Sequence, residues 1–310
     1  MGFGTWAIGG WLWGGTDEAA AIRAIRTSLE EGVTLIDTAP AYGLGRSEEI
    51  VGKAIAGRRD QVVLATKCGL VWHTDRGRPF FEQEGKTVYR YLGADSIRYE
   101  LEQSLRRLGT DHVDLYQTHW QDPTTPIDET MGALLELKRE GKIRAIGVSN
   151  VTVEQLEAYL HAGPVDTDQE RYSAIDRGHE AALIPYCREH GIAFLAYSPL
   201  AHGLLTGKVG PDRVFSGDDL RRTDPRYTPE NRRRVARMLD EVRPIADRHG
   251  LTPAQLMIAW TLAQPGVTHA LVGARNPEQA AENARAGDVT LSRAEMELIG
   301  EVFRPATQAA

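Results

Sequence analysis

With 310 residues, 42% of them hydrophobic, 25% charged and 31 of them glycine, the chain has the makeup of an ordinary globular protein with a sizeable core. A formal net charge of −7 argues against a nucleic-acid surface, and no apolar run approaches the roughly 20 residues of a membrane span. Two cysteines, Cys68 and Cys187, cannot build a disulfide framework, no signal-peptide pattern opens the chain, and the histidines, His179 and His190 among them, fall in no spaced Cys/His/acid cluster; the reading is a reducing cytoplasm, no metal, and disorder only at Pro305 to Ala310.

Phe3 to Ile8 is a glycine-flanked apolar run, read as the first strand, with Trp11 and Trp13 in the glycine-rich loop that follows. Thr16 is the expected N-cap of a helix whose Asp17 and Glu18 suit the positive end of the dipole; Ile22, Ile25 and Leu29 recur at helical spacing until Gly32. Gly32 to Ile36 reads as a short buried second strand that delivers Asp37 at its carboxyl end, with Tyr42 one short loop later. Ser47-Glu48-Glu49 then opens a second capped amphipathic helix carrying Ile50, Val51, Ala54 and Ile55. Gln61 to Thr66 is the third strand, ending at Lys67, and a long loop of mixed composition runs to Gly93. Asp95 is the expected cap of a helix striped by Ile97, Leu101, Leu105 and Leu108.

Val113 to Thr118 forms the fourth strand, ending at His119-Trp120, and its helix runs from Pro126 to Lys138 until Gly141. Ile143 to Val148 is the fifth, ending at Ser149-Asn150, after which Thr152 and Gln155 make a capping box for a helix through Leu160. Val165 to Asp168 is the sixth, ending at Gln169, with its helix near Glu180 to His190; Ile192 to Ala196 is the seventh, ending at Tyr197-Ser198-Pro199. A second long loop precedes two helices announced by Thr228-Pro229 and Thr252-Pro253, the first with Arg232-Arg233-Arg234 as its wet face. His269 to Val272 is the eighth strand, ending at Gly273. Asn276-Pro277 opens a further helix, and Ser292 with Glu295 boxes the last.

Eight strands alternating with helices, with no hairpin reversal, imply a parallel sheet, and eight is the number that closes it. The expectation is an α/β fold in one domain over residues 1–310: a (β/α)8 TIM barrel with long loops after strands three and seven and extra C-terminal helices. The doubly wound alternative needs a G-x-G-x-x-G fingerprint, and Gly43-Leu44-Gly45 starts like one but fails at Glu48. In a closed parallel barrel every strand's carboxyl end lies on one face, so Asp37, Lys67, His119, Asn150, Gln169 and Tyr197 converge from six strand ends. An acid, a lysine, a tyrosine and a histidine on one rim form a proton-donating set. Lys67 as a cation can lower the tyrosine pKa from about 10, Asp37 can hold Lys67, and a tuned phenol serves as general acid.

Over nearly all of its length the chain resembles the aldo-keto reductases. The motifs are Gly4-Thr5-Trp6, Ile36-Asp37-Thr38-Ala39 through Tyr42, Ala65-Thr66-Lys67, Tyr116-Gln117-Thr118-His119-Trp120, Gly147-Val148-Ser149-Asn150, Gln169, Ala196-Tyr197-Ser198-Pro199-Leu200, and Gly273-Ala274-Arg275 through Glu282-Asn283. Ser198 to Lys208 looks most like the branch with bacterial stress reductases and potassium-channel β-subunits. The resemblance implies hydride transfer between NADP(H), with NAD(H) as the second choice, and a small carbonyl substrate. It makes Tyr42 the proton donor, Lys67 and Asp37 its tuning pair, and His119 the donor that orients the carbonyl. It places Ser149, Asn150 and Gln169 on the nicotinamide carboxamide and Tyr197 on its ring. Ser198, Leu200, Gly203 and Lys208 would line the pyrophosphate path, Arg275, Gln279, Glu282 and Asn283 the adenosine end, with Thr5, Trp6 and Gly273 as further cofactor contacts. Trp6, Trp13, Trp72 and Trp120 are candidate pocket walls, and Cys68 reads as a buried inert thiol.

Two departures stand out. Relatives usually begin with a short hairpin that closes the barrel's bottom, whereas Met1 here stands immediately before strand one, so an open bottom or a shortened start is expected. Many relatives also carry a basic residue at Gln279. Two rival readings share these residues: a lyase forming a Schiff base through Lys67, and a cofactor-binding regulatory subunit.

Overall fold

The computed structural model describes residues 1–304; Pro305 to Ala310 lie outside the described residues. In chain order the strands are β1 (Gly2–Gly4), β2 (Leu35–Asp37), β3 (Val63–Cys68), β4 (Leu70–Val71), β5 (Arg78–Gln83), β6 (Lys86–Arg90), β7 (Val113–Thr118), β8 (Ile143–Ser149), β9 (Thr167–Arg171), β10 (Ala193–Tyr197) and β11 (Val267–Gly273). The helices are α1 (Glu18–Glu30), α2 (Arg46–Ile55), α3 (Ala94–Leu108), α4 (Ile127–Arg139), α5 (Val153–Ala162), α6 (Leu183–Glu189), α7 (Pro229–His249), α8 (Pro253–Leu262), α9 (Pro277–Ala284) and α10 (Arg293–Val302).

Eight of the strands close into a parallel barrel in the order β1-β11-β10-β9-β8-β7-β3-β2. This is the expected (β/α)8 barrel. Strand alternation divides each strand between two environments. Leu35, Ala65, Leu115, Leu195 and Leu271 fill the interior, and Ile36, Leu64, Tyr116, Ile146, Val148 and Phe194 pack outward under the helices. Gly147 is required where it stands, because a Cβ there would sit 2.3 Å from Thr167 Oγ1 and 2.7 Å from Gln117 Cγ.

The loop after β3 departs from expectation. It is not structureless: β4, β6 and β5 form an antiparallel sheet, with β5 and β6 joined by the two-residue turn Glu84-Gly85. Both turn residues have positive φ (51° and 74°), the geometry whose twist suits a hairpin. Glu-Gly is a weaker signal for it than Asn-Gly or Asp-Gly.

Local corrections have local causes. β1 spans three residues, and Trp6–Gly9 turns into a 3-10 helix instead of extending it. Asp17, not Thr16, caps α1 by accepting the Ala20 N–H. Gly93 caps α3, leaving Asp95 in its first turn. α2 begins after Gly45 without a side-chain cap, because the Ser47 hydroxyl turns inward to Thr5 Oγ1 at 2.8 Å. Arg232 is no part of a wet face: it is buried and donates to the Gly210 and Arg213 carbonyls at 2.8 and 2.7 Å. The caps at Thr152, Thr228, Thr252, Asn276 and Ser292 form as read. Cys68 and Cys187 are both free and buried. No helix among the described residues is long and apolar enough to cross a membrane.

Candidate active site

The interior-facing positions become polar toward the strands' carboxyl ends. Two residues along from Leu35, Ala65, Leu115 and Thr167 stand Asp37, Lys67, Gln117 and Gln169. These four buried side chains form one network. Lys67 Nζ donates to Asp37 Oδ1 at 2.6 Å and to the Thr38 carbonyl at 3.0 Å, while Asp37 Oδ2 accepts from Gln169 at 2.8 Å and Gln117 at 3.2 Å. An ion pair this deep is tolerated because both partners are fully hydrogen-bonded. Gln117 carried no role in the sequence reading. Its signal was parity, since it faces inward two positions before His119.

Tyr42 reaches the same network from above, its hydroxyl 3.3 Å from Lys67 Nζ. Its loop is seated by two glycines in close approach: a Cβ on Gly9 would lie 2.6 Å from the Tyr42 carbonyl carbon, and one on Gly43 would lie 2.3 Å from the Gly9 carbonyl oxygen. Burial pushes the Tyr42 phenol above its ordinary value, and the Lys67 charge opposes this without reversing it. Lys67 thus lowers the phenol as expected, but burial is the larger effect and the net direction is upward. Burial works against the Lys67 cation, but Asp37 and Tyr42 outweigh it and its pKa is raised. His119 stands edge-on to Tyr42 with ring centroids 5.6 Å apart. Burial, and then Lys67, hold its imidazole well below the usual range, so it is a neutral single N–H donor.

Ser149, Asn150 and Tyr197 meet beside this pair. Asn150 Nδ2 donates to the His119 carbonyl at 2.8 Å, the Tyr197 hydroxyl donates to Asn150 Oδ1 at 2.9 Å, and Ser149 Oγ donates to the Gln169 carbonyl at 2.6 Å. Asn150 holds a left-handed backbone (φ 56°), which asparagine accepts more readily than most residues. Gln169 has its side-chain NH2 committed to Asp37 and Gln117, which leaves its side-chain amide oxygen Oε1 to meet a ligand.

One cavity of about 480 Å³ connects these groups with the rest of the expected set. Thr5, Trp6, Asp37, Tyr42, His119, Ser149, Asn150, Gln169, Tyr197, Ser198, Leu200, Gly203, Lys208, Gly273, Arg275, Gln279, Glu282 and Asn283 all line it; Lys67 lies beneath its floor. Trp6, Trp13 and Trp120 are walls as read. Trp72 is not a wall, because it packs against the small cluster of Ala41, Leu70 and Val88. Trp11 stacks on Phe81 at 5.0 Å, and Phe80 lies 5.2 Å from Trp120, so the β5–β6 hairpin lends the mouth two aromatic side chains that a structureless loop could not place. His202 was missed as well. Its ring stands edge-on to Trp6 and Trp13, and burial, then Arg226, push its pKa down to about 3.

At the outer end, Arg275 donates to the Trp13 and Gly15 carbonyls at 3.0 and 2.5 Å, Gln279 Oε1 accepts the Arg275 N–H at 2.9 Å, and Lys208 pairs with Glu282 at 2.8 Å. No carboxylate among the described residues pairs with Arg275. The cavity suits a long, partly anionic ligand. His202 Nε2 and Trp13 Nε1 are buried in its wall without an acceptor, and the N-terminus of α9 faces its outer end with Arg275 alongside.

The model of the Aldo/keto reductase family matches residues 1–304. The chain is 45% identical over 282 residues to the aldo-keto reductase YhdN of Bacillus subtilis, covering 90% of this chain and 82% of that protein. It is 44% identical over 308 residues to an NADH-specific methylglyoxal reductase of Escherichia coli, covering 97% and 94%. Among solved structures, a glycerol dehydrogenase from Gluconobacter oxydans superposes with a TM-score of 0.88 at 40% identity, covering 97% of this chain and 90% of that one. An aldo/keto reductase from Klebsiella pneumoniae in complex with NADP and acetate does so with a TM-score of 0.75 at 31% identity, covering 99% and 92%.

Proposed function

The chain belongs to the aldo-keto reductase family of oxidoreductases, and on that premise we propose that it reduces the carbonyl of a small aldehyde or ketone with a nicotinamide dinucleotide, Tyr42 giving the proton. The observation that carries this reading is the Tyr42 hydroxyl at 3.3 Å from a lysine that is itself 2.6 Å from a buried aspartate, at the floor of the cavity and beside a neutral imidazole. When bound, the dinucleotide supplies the hydride to the carbonyl carbon. Tyr42 delivers its proton to the carbonyl oxygen, and the resulting phenolate is stabilised at once by Lys67. His119 donates its one N–H to the same oxygen and so fixes the approach of the carbonyl. Ser149, Asn150 and the Gln169 side-chain amide oxygen would hold the carboxamide, and the Tyr197 ring would back the nicotinamide.

NADP(H) is the preferred cofactor in this reading, with NAD(H) admitted. Two of the five Arg275 N–H groups serve loop carbonyls, so three donors, on a guanidinium with no direct ion pair among the described residues, are left for a 2′-phosphate. Gln279 adds no charge, which narrows the margin, and a relative at 44% identity is named as NADH-specific. The lyase reading fares worse. A Schiff base needs a neutral amine, and Asp37 keeps Lys67 protonated.

The test is carbonyl reduction by Tyr42→Phe and Lys67→Met alongside cofactor titration. Each variant should lose at least about 100-fold in turnover, the low end of what a positioned general acid supplies. Tyr42→Phe should still bind cofactor. Near-normal reduction by that variant would remove Tyr42 from the mechanism.

A further inference from the structure

Two consecutive residues of β5, Phe80 and Phe81, both line the cavity. A regular strand does not allow this, because successive side chains leave it on opposite faces. The register explains it: Pro79 stands opposite Tyr89 and Phe81 opposite Val88, so β5 advances two residues where β6 advances one, and Phe80 is the extra residue. Such a bulge re-aims a side chain and commonly stands beside an active site. β5 is an edge strand of its sheet, where a bulge and a proline are both tolerated.

The two rings are held by different partners. Phe81 stacks on Trp11 from the loop after β1, with ring centroids 5.0 Å and planes 24° apart, and packs on the small cluster of Ala41, Leu70 and Val88. Phe80 lies 5.2 Å from Trp120, the residue after His119, and remains 38% exposed at the mouth. The Arg90 guanidinium lies on the Phe80 ring, 5.0 Å from its centroid, and is not part of the cavity wall. Among the described residues, no charged side chain lines the wall on this side. The charged lining residues are Asp37 at the floor, paired with Lys67, and others on β9, in the loop after β10 and beyond the end of β11.

We propose that the β5–β6 hairpin selects the substrate, and that Phe80, Phe81, Trp11 and Trp120 take up an uncharged aromatic ring carried by the aldehyde or ketone. This deepens the reading of the cavity as a carbonyl-reducing site and rests on it. Trp120 adjoins His119, whose ring centroid is 5.6 Å from that of Tyr42, so the aromatic cluster begins one side chain from the reacting groups and continues outward to Phe80. A ring joined to the carbonyl by a short saturated linker suits that separation. Aromatic walls favour a flat ring, through offset or edge-on contact, beyond the area it buries. A carboxylate or phosphate in the same place would lose its hydration with no cation in the wall to replace it.

The experiment is kcat/KM of the wild type, Phe80→Ala and Phe81→Ala for propanal, hydrocinnamaldehyde and its cyclohexyl analogue, with NADPH and with NADH. All three substrates are unconjugated alkyl aldehydes of matched carbonyl reactivity, so their ratios within one protein read the pocket and are indifferent to the amount of folded enzyme. The wild type should prefer hydrocinnamaldehyde to propanal by roughly 10- to 150-fold, what burying one such ring supplies, and should not favour the cyclohexyl compound despite its larger apolar surface. Each alanine variant should lower the phenyl preference by roughly two- to tenfold, the worth of one aromatic pair. Phe80, being exposed, carries the test even if Phe81→Ala does not fold. Reduction of propanal with no preference for the phenyl compound, a preference for the cyclohexyl compound, or a phenyl preference that survives the substitutions overturns the role of the hairpin alone. If the wild type reduces none of the three with either dinucleotide, the carbonyl-reducing reading itself has failed and takes the hairpin's role with it.

Discussion

Tyr197 shows how a contact changes what a residue is expected to do. From sequence its ring alone mattered, as a flat surface for the nicotinamide. In the structure its hydroxyl also donates to Asn150 Oδ1, whose NH2 in turn holds the His119 carbonyl. Tyr197→Phe should therefore weaken cofactor binding by roughly two- to tenfold, the worth of one net hydrogen bond, while Tyr197→Ala should lose that and the stacking as well. Fluorescence titration of both variants separates the two effects. Equal affinities for wild type and Tyr197→Ala would place the nicotinamide elsewhere.

The same logic of satisfied and unsatisfied burial governs α3 and its neighbours. Glu100 projects from α3 beneath β3, where it accepts the Gly69 N–H at 2.9 Å and the Ser96 hydroxyl at 3.2 Å. Burial raises its pKa from 4.5 to about 8. The folded protein thus binds a proton that the unfolded chain has already released above about pH 4.5. That contribution to stability is complete below pH 4.5 and is lost as pH rises toward about 8, at no more than about 1.4 kcal/mol per unit. Glu100→Gln keeps the acceptor and removes the proton, so its midpoint of denaturant unfolding should fall less between pH 5 and pH 8 than that of the wild type. Parallel pH profiles would mean that Glu100 is ionised in the fold.

Across the molecule, Arg275 ties the end of the last barrel strand to the loop after the first. Its guanidinium holds the Trp13 and Gly15 carbonyls, while Asp218, from the long loop after β10, accepts the Leu12 and Gly14 N–H groups at 2.9 and 3.0 Å. Removing Arg275 should therefore do two things at once. Loss of the tether weakens both dinucleotides alike, and loss of the charge weakens NADPH further, by about 10- to 150-fold for a charge-assisted hydrogen bond. NADPH and NADH affinities in wild type and Arg275→Ala distinguish them: an unchanged ratio assigns Arg275 to the tether alone and leaves any phosphate preference to Lys208 or another group.

What the sequence determined by itself was the alternation of strands and helices and the residue at each strand's carboxyl end. Apolar periodicity, Thr-Pro and Asn-Pro starts and capping boxes are local signals, and closure of eight parallel strands then puts Asp37, Lys67, His119, Asn150, Gln169 and Tyr197 on one rim without further information. Only the tertiary structure decided what depends on neighbours distant in the chain. The Glu84-Gly85 hairpin carries too faint a turn signal to be read alone, yet it sets Phe81 on Trp11. Arg232, in a run of three arginines, is buried because two loop carbonyls need donors. The sign of the Tyr42 shift was also beyond the sequence: one lysine argues for lowering, but the burial that argues for raising is made by the whole fold, and it is the larger of the two.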